Sequence, residues 1–395
     1  MGDWKEYRLG DILSIKSGFS YQGKYIGTGD SLLLGMGCVS FKERFLMSGA
    51  RPYSGPFDDR YKVLPGDIVL ATRQQSDNLP ILAMPAMVPN SLKGKDVVIG
   101  TNLYKVEITD NTFSNEYIFW LLKTKQYVNY IAGVKTGTTV SMVTKKNVED
   151  FTFFAPTDQS EREKIISIIS ILDKSIDNNR AICSNLEEFA LAIYKNWFID
   201  FAPFSDGKFV DSEFGMIPEG WSILPIDEVF NIKYGKNLPT SKIEDKGDYP
   251  VYGANGIMGY YSLYNYDSYV TLITSRGSGS GDVSRTFQEK TFVTNNSFAV
   301  KPQDNYSYMG YGYTYYCMKN INFKPYCSGS AQPQLTNSSI SAISILVPDY
   351  DVIIKFNSIA SYIHREINRA QIESDRLTTL RDSLLQKLMS GQIKP

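Results

Sequence analysis

The residue types that most often perform catalysis are sparse in this sequence. It contains one histidine, His364, and no Walker-type lysine, no Asn/Asp-Pro-Pro-Tyr/Phe motif and no acidic pair with nuclease-like spacing. Its cysteines lack the spacing of a metal site or a disulfide framework; they are Cys38, Cys183, Cys317 and Cys327. The sequence therefore predicts no catalytic residue, no metal site and no cofactor bound by this chain. We place His364 on the solvent-facing side of a helix.

Side chains suited to nucleic-acid contact lie where apolar strands are predicted to end. Arg73, Gln74 and Gln75 follow one such strand, and arginine and glutamine match the edges of guanine and adenine. A later strand ends at Arg276, followed by residues 277–281 (Gly-Ser-Gly-Ser-Gly), whose backbone N–H groups could hold a phosphate. An ordinary solvated loop explains either segment equally well.

Composition leaves the partner open. The chain has 395 residues, and 41 basic against 42 acidic side chains give a formal net charge of −1. Any nucleic-acid contact must therefore come from local placement of side chains. The N-terminus is polar, and no apolar run reaches the ~18 residues of a membrane span. With its unpaired cysteines, this composition predicts a cytoplasmic protein without contact to a membrane.

An internal repeat organises the chain. Residues 4–12 and 221–229 share the positions of tryptophan and of aliphatic residues, and Gly18 and Gly235 lie equally far after each tryptophan. Repeats of this length are duplicated domains, because a solenoid has a period of ~20–50 residues. Short runs of Val, Ile, Tyr and Phe between Gly, Pro and Asn predict strands in both copies. The region near residues 311–319 is too rich in Tyr and Gly to assign.

Alignment of the copies places Arg73 opposite Arg276 and extends the set of candidate contacts. The first copy adds Lys135, Thr138, Thr139, Lys145 and Lys146. The second copy adds Ser278, Ser280, Arg285, Gln332 and Gln334. The lysines could neutralise phosphates, although surface lysines are common without any such role.

Each copy ends in a heptad pattern of apolar residues. The seam positions are Ile165, Ile169, Leu172, Ile176, Asn179, Leu186 and Ile193 in the first copy, and Ile363, Ile367, Leu377, Leu384 and Leu388 in the second. This spacing predicts two long helices that pack against each other, each about 60 Å long at 1.5 Å per residue. Asn179 either fixes the register of the pair or faces solvent where the seam splays.

Several stretches together resemble a known family. They are residues 4–12 (Trp-Lys-Glu-Tyr-Arg-Leu-Gly-Asp-Ile), 192–198 (Ala-Ile-Tyr-Lys-Asn-Trp-Phe), 215–221 (Gly-Met-Ile-Pro-Glu-Gly-Trp), 249–256 (Tyr-Pro-Val-Tyr-Gly-Ala-Asn-Gly), 332–335 (Gln-Pro-Gln-Leu) and 383–391 (Ser-Leu-Leu-Gln-Lys-Leu-Met-Ser-Gly). In this order they are similar to the specificity subunit of type I restriction–modification enzymes. The resemblance covers essentially the whole chain.

The resemblance implies an α+β fold with a pseudo-two-fold internal repeat. Two β-rich target recognition domains, residues 1–155 and 221–347, would be separated by two long antiparallel helices, residues 156–201 and 348–391, that form a coiled-coil spacer. Residues 202–220 would be a linker. Each domain would read one half of a split site in double-stranded DNA. Because the two copies differ in sequence, we expect an asymmetric target with a gap.

The same resemblance implies partners. Two adenine-N6 methyltransferase subunits and the motor–nuclease subunits would dock on the helices, and those partners would carry S-adenosylmethionine, ATP and Mg. A structural adaptor with duplicated protein-binding domains remains an alternative. An enzyme acting on a small ligand between the domains would need converging titratable groups, and the sequence offers none.

Overall fold

The computed structural model describes residues 3–75, 81–137, 139–329, 332–341 and 343–395. The chain divides into two compact units: unit 1, Met1–Ile176 with Arg376–Pro395, and unit 2, Asp177–Asp375. Each unit therefore combines one β-rich domain with parts of both long helices. Among the described residues, no helix has the length and apolar character needed to cross a bilayer.

The strands of the first domain are short and joined by loops. They are β1 (Trp4–Arg8), β2 (Leu13–Ser17), β3 (Ile26–Leu34), β4 (Ala50–Tyr53), β5 (Ile68–Ala71), β6 (Arg73–Gln74), β7 (Pro85–Met87), β8 (Val97–Ile99), β9 (Leu103–Ile108), β10 (Ser141–Met142) and β11 (Thr152–Pro156). The helices are α1 (Leu9–Ile12), α2 (Asn115–Leu121), α3 (Lys125–Val134), α4 (Lys145–Glu149) and the long α5 (Gln159–Phe198).

The second domain has corresponding elements. Its strands, preceded by a linker hairpin of β12 (Phe209–Val210) and β13 (Ile217–Pro218), are β14 (Ser222–Pro225), β15 (Phe230–Tyr234), β16 (Tyr249–Gly253), β17 (Gly256–Tyr261), β18 (Tyr266–Asp267), β19 (Thr271–Thr274), β20 (Val283–Arg285), β21 (Lys290–Val293), β22 (Ser297–Pro302) and β23 (Ser344–Val347). The helices are α6 (Ile226–Val229), α7 (Gly310–Asn320), α8 (Asn337–Ser341) and the long α9 (Tyr350–Met389).

One topology underlies both domains. The four-stranded sheet β2-β9-β5-β7 of unit 1 corresponds to β15-β22-β19-β20 of unit 2. In each domain the opening strand pairs antiparallel with the closing strand, β1 with β11 and β14 with β23. In each domain a second sheet contains one parallel strand pair, β3 with β8 in unit 1 and β16 with β21 in unit 2. The predicted duplication of an α+β domain is confirmed.

The paired glycines of the repeat have a shared physical cause. The N–H of Gly18 donates to the carbonyl of Leu103 at 3.0 Å, and the N–H of Gly235 donates to that of Ser297 at 3.0 Å. A Cβ atom on Gly18 would collide with the carbonyl oxygen of Gly100, and one on Gly235 with that of Thr294. Glycine is required at both positions because backbone crosses backbone there.

The long helices share their apolar faces with the domains. In unit 1, Ile165 and Ile169 of α5 and Leu388 of α9 are buried in one core with Trp120. In unit 2, Tyr194 of α5 and Ile363 of α9 are buried with Tyr313 and Phe298. Early residues of α5 thus lie beside late residues of α9, and late residues of α5 beside early ones of α9. The predicted antiparallel arrangement is confirmed.

Burial along the seam is uneven. The buried positions are Ile165, Ile169, Ile176, Ile363, Ile367 and Leu388, and the half-buried ones are Leu172, Asn179, Leu186, Ile193, Leu377 and Leu384. Leu380, three residues after Leu377, is 47% exposed, while Arg381, which has the heptad spacing between Leu377 and Leu384, is buried. A strict heptad seam faces only another helix, but these helices also pack against a domain. The coiled-coil description stays a prediction.

The prediction that His364 faces solvent is wrong, because the residue is buried within unit 2. Its ring packs edge-on against Tyr269 and Tyr311 and parallel to Phe287, with centroids 4.8, 4.9 and 5.4 Å away. Burial in this aromatic surround, with a contribution from the charge of Arg285, lowers the pKa of His364 to about 4. The polar neighbours of His364 along α9 suggested exposure, but the second domain covers that face of the helix.

Candidate nucleic-acid interface

A short ribbon forms in unit 1 where β5 ends. Arg73 of β6 lies opposite Met142 of β10, and Thr136 bridges Met142 from the other side. The ribbon is tied to the sheet end through Thr72, whose N–H donates to the carbonyl of Asn102 at 3.0 Å. This position presents the side chain of Arg73 at the surface.

Unit 2 builds the same ribbon at the end of β19. Arg276 bridges Gln334, and Ser328 bridges Gln334 from the other side. Here Ser275 donates its N–H to the carbonyl of Asn296 at 2.9 Å. The structure thus places Arg276 in the position that Arg73 has in unit 1, as the alignment of the copies predicts.

Most of the predicted contact residues are accessible at or near these ribbons. The exposed ones are Arg73, Gln75, Thr139, Lys146, Arg276, Ser278 and Gln332, and the half-buried ones are Lys135, Lys145 and Gln334. Thr138 lies outside the described residues. Lys145 and Lys146 begin α4, whose N-cap Thr144 forms a capping box with Asn147.

The prediction of Gln74 as a base contact is wrong, because Gln74 has a structural role. Its side chain is buried. Its Oε1 accepts hydrogen bonds from the N–H groups of Ile81 and Leu82 at 2.9 and 3.1 Å. Because successive strand residues point to opposite faces, only one of Arg73 and Gln74 can face outward.

The glycine-rich loop of unit 2 is also different from the expectation. The N–H groups of Gly277 and Gly281 donate to the carbonyls of Pro333 and Thr274 at 3.0 and 2.8 Å. Ser280 is buried and uses both its N–H and its hydroxyl within the loop, the hydroxyl donating to Ser275 at 3.1 Å. These three N–H groups and the Ser280 hydroxyl are occupied, which removes them from the predicted phosphate cradle, and the predicted DNA contact of Ser280 is wrong. Ser278 remains exposed at the tip.

The prediction of Arg285 as a DNA contact is also wrong, because its guanidinium lies in the interior of unit 2. It donates to Glu187 Oε2 at 2.5 Å and lies 4.2 Å from the ring centroid of Tyr315. Burial opposes its charge, but Tyr315 and Glu187 outweigh that effect, and the pKa of Arg285 is raised. This arginine holds the domain against a helix of its unit and does not reach the surface.

Two exposed residues near the unit 2 ribbon were missed by the sequence reasoning. Asn255 is in the two-residue turn between β16 and β17, and the hydroxyl of Thr274 donates to the carbonyl of Ala254 at 2.8 Å. Lys236 follows β15, and its N–H donates to the carbonyl of Val293 at 2.9 Å. The Asn-Gly pair of a tight hairpin was the available signal for Asn255. Both residues lie at the sheet end that carries Arg276.

Comparison with known proteins agrees with this duplicated arrangement. The model of the family described as type I restriction modification DNA specificity domain matches residues 1–188 and again residues 218–380. The chain belongs to this family. It is therefore a DNA-recognition component of a type I restriction–modification complex and not an enzyme, and it assembles with DNA and with other subunits of that system.

Curated relatives are similar to this chain in sequence, and one solved structure is similar to it in fold. The chain is 24% identical over 302 residues to the type I restriction enzyme MjaIX specificity subunit of Methanocaldococcus jannaschii, covering 71% of this chain and 69% of that one. It is 25% identical to the HindI specificity subunit of Haemophilus influenzae, with 100% of both chains covered. The fold is similar to the crystal structure of a type I S subunit from M. genitalium, with a TM-score of 0.54, 17% identity, and coverage of 98% and 96%.

The long helices of this specificity chain leave large apolar side chains uncovered. Ile171, Ile182 and Phe189 are exposed on α5, and Tyr362, Ile372 and Leu380 are exposed on α9. Single exposed apolar residues are ordinary, whereas a contiguous patch of them is typical of a surface that binds another protein. Among the described residues, no group of three or more potential ligands of the His, Cys, Asp or Glu type could hold a metal ion.

Proposed function

We propose that each unit of this chain reads one half of an asymmetric, gapped DNA sequence, through the ribbon at Arg73 in unit 1 and at Arg276 in unit 2. The equivalence of these two exposed arginines carries the proposal. Arginine can donate two hydrogen bonds to the O6 and N7 atoms of one guanine, a contact worth about 1–3 kcal/mol of discrimination.

The side chains around the two arginines differ, which supports unlike half-sites. In unit 1 the ribbon has Gln75 and Thr139 nearby, with Lys135, Lys145 and Lys146 close in the chain to β10. In unit 2 the corresponding helix α8 has the sequence Asn-Ser-Ser-Ile-Ser, without lysine. Amide side chains suit adenine, and lysines neutralise phosphates without reading sequence. Gln332, Gln334, Asn255 and Lys236 would take these roles in unit 2.

The helices α5 and α9 would set the gap between the half-sites and dock the partners. Their exposed apolar residues support a protein-binding role. The partners that we propose are two adenine-N6 methyltransferase subunits and the motor–nuclease subunits. S-adenosylmethionine, ATP and Mg would then be bound by those partners. A purely structural adaptor is not favoured, because the family is defined by DNA specificity.

The experiment is methylation of random-sequence DNA by the assembled complex, followed by sequencing of N6-methyladenine. We expect one motif made of two different half-sites separated by a constant number of unspecified bases. Arg73→Ala and Arg276→Ala should each relax one half only. A continuous motif, or methylation independent of sequence, would contradict the proposal.

A further inference from the structure

Each unit contains a guanidinium, half-buried in unit 1 and buried in unit 2, at the junction of its domain with the long helices. In unit 1 this is Arg44, which belongs to the long loop between β3 and β4, residues 35–49. In unit 2 it is Arg285, the last residue of β20. The duplication does not explain this pair, because the two arginines come from segments that do not correspond.

The unit 1 cluster joins the domain and both helices. Asp173 of α5 is buried and accepts from Arg44 Nη1 at 3.1 Å and from Arg381 Nη1 of α9 at 2.7 Å. Arg44 Nη2 also donates to Glu116 of α2 at 2.5 Å. Burial opposes the charge of Arg44, but Glu116 and Asp173 outweigh it, so the pKa of Arg44 is raised. One carboxylate thus connects three segments that are distant in sequence.

The loop that carries Arg44 is itself secured to the domain. Lys123 Nζ donates to the carbonyls of Phe41 and Glu43 at 3.2 and 2.8 Å. Burial, together with the nearby positive charge of Arg381, lowers the pKa of Lys123 to about 8. These hydrogen bonds hold the loop backbone beside the end of α2 and direct Arg44 toward the helices.

The unit 2 cluster makes the same kind of connection with other residues. Glu187 of α5 accepts from Arg285 at 2.5 Å and from the hydroxyl of Tyr315 at 2.6 Å. On the other helix of the unit, Asn368 of α9 donates its amide to the carbonyl of Phe287 at 3.2 Å, two residues after Arg285. The second domain is therefore tied to both α5 and α9.

The two guanidinium groups have closely similar surroundings. Arg44 lies 4.7 Å from the ring centroid of Phe119 and 5.8 Å from that of Trp120, on α2. Arg285 lies 4.2 Å from Tyr315 and 5.8 Å from Tyr316, on α7. Both α2 and α7 follow the second strand of the four-stranded sheet, β9 and β22.

The strand beneath each group corresponds as well. Arg44 Nη2 is 2.8 Å from the sulfur of Met87, the last residue of β7. Arg285 is the last residue of β20, and β7 and β20 are equivalent edge strands. Two segments that do not correspond in the repeat thus place an arginine side chain at the same location in the fold.

Stability alone does not account for this convergence. Burying charge costs desolvation energy, and apolar groups of similar volume often replace a buried ion pair without loss of stability. A hydrogen-bonded ion cluster does, however, satisfy its partners in one geometry only, whereas apolar surfaces tolerate sliding. Both junctions therefore share a requirement that apolar packing does not meet. The domain must bind the helices in a single, defined position.

We propose that the Arg44–Asp173–Arg381 cluster and the Arg285–Glu187 cluster are positioning elements that restrict the subunit to one gap length between its half-sites. This inference rests on the proposed function, since it assumes that both units read DNA and that the helices set the gap. None of the five residues contacts DNA in this scheme. They act by fixing each recognition domain on its helices.

The test replaces the unit 1 cluster with apolar groups of similar size, as Arg44→Met, Asp173→Leu and Arg381→Met together. The assembled complex is given duplexes that carry both native half-sites with the native gap, or with one base pair more or less. We expect the methylation rate ratio between the native and the altered gaps to fall at least tenfold, with the half-site bases unchanged. The matched control replaces an exposed ion pair of the same domain, Lys16→Met with Glu107→Leu, and should keep the full ratio.

Each outcome is informative. A folded triple variant with unchanged gap discrimination would overturn the inference, as would relaxed base recognition at the native gap. Should the triple variant not fold, Arg381→Lys decides, because lysine keeps the charge but not the forked donor geometry. It should lower the gap ratio by a smaller factor at nearly unchanged melting temperature, and an unchanged ratio would also overturn the inference. Failure of the wild-type complex to methylate any gapped motif would instead reject the proposed function.

Discussion

Units 1 and 2 share a topology but differ in the hairpin that follows the first parallel strand. In unit 2, β16 and β17 are joined by two residues, Ala254 and Asn255, which lie beside the strand end that carries Arg276. In unit 1, β3 and β4 are joined by residues 35–49, which reach the helices through Arg44. The same place in the fold therefore carries a surface turn in one unit and a helix contact in the other.

This difference separates what the fold requires from what each domain can vary. The sheet, the crossing glycines and the helix cores are kept in both units, because changing them would disrupt backbone hydrogen bonds or buried packing. Connections at the sheet end tolerate insertions, since the ends of a loop cost little more to close as the loop grows. The domains can thus diverge in what they read while keeping one scaffold.

The largest effect is expected from disrupting the helix pair, which both units share. Ile176→Asp together with Leu377→Asp introduces charges at one buried and one half-buried position of unit 1. An unpaired buried charge is strongly destabilising, so we expect a loss above roughly 4 kcal/mol and failure of partner assembly. Urea unfolding and co-purification measure this. Lys174→Asp, at an exposed position of α5, should assemble normally; assembly of the double variant would show that the seam is misplaced.

Acid should destabilise the protein through His364, a feature of unit 2. The pKa of His364 is about 4 in the folded protein, below its ordinary value of 6.5, so the unfolded chain binds the proton more readily. The neutral ring contributes fully to the free energy of unfolding above pH 6.5. This contribution, up to about 3 kcal/mol, is lost as the pH falls to about 4. Urea unfolding from pH 7 to pH 4 measures it. His364→Phe should remove this part of the slope, and an unchanged slope would contradict the burial of a neutral ring.

The crossing glycines should respond alike in the two units. Gly18→Ala and Gly235→Ala each force a Cβ against a backbone carbonyl, and overpacking of this kind costs about 1–3 kcal/mol. Melting temperature or urea midpoint measures both variants. Gly23→Ala, whose Cβ would meet open space, is the neutral control. Loss in one unit only would show that the close approach is not a common feature of the scaffold.

The smallest effects on stability, and the sharpest on recognition, are expected at the ribbons. Asn255→Ala should relax one base pair of the unit 2 half-site by about 1–3 kcal/mol, with the unit 1 half-site and the melting temperature unchanged. Lys146→Ala should instead weaken binding to all sequences and reduce its dependence on salt concentration. Methylation-motif sequencing and salt titrations separate these results. Relaxation of both half-sites by Asn255→Ala would indicate a structural role for the turn.

Much of the architecture could be predicted from local patterns. Heptad spacing indicates both long helices because a period near 3.5 residues is strong over forty residues. The internal repeat by itself places Arg73 and Arg276 at equivalent positions. In contrast, residues 311–319 could not be assigned, yet they lie in α7, because burial of Tyr313, Tyr315 and Tyr316 against the domain and α5 outweighs weak helix propensity.

The candidate site could be located from the sequence but not resolved to side chains. Arg276 and Arg285 flank one glycine-rich loop in the sequence, but Arg276 faces solvent and Arg285 binds Glu187. Gln74 and Gln75 are neighbours, but Gln74 is buried and Gln75 is exposed. Such choices depend on partners distant in the chain, which no local pattern contains.

The sequence by itself determined the duplication, the two helices, the strand ends that carry the arginines, and the family, because each of these is encoded in spacing along the chain. Only the tertiary structure decided that His364 is buried among aromatic rings, that the glycine loop uses its own N–H donors, and that Arg44 and Arg285 arrive at equivalent places. These features arise where segments far apart in sequence meet, and there burial and hydrogen-bond satisfaction, more than residue type, decide the role of a side chain.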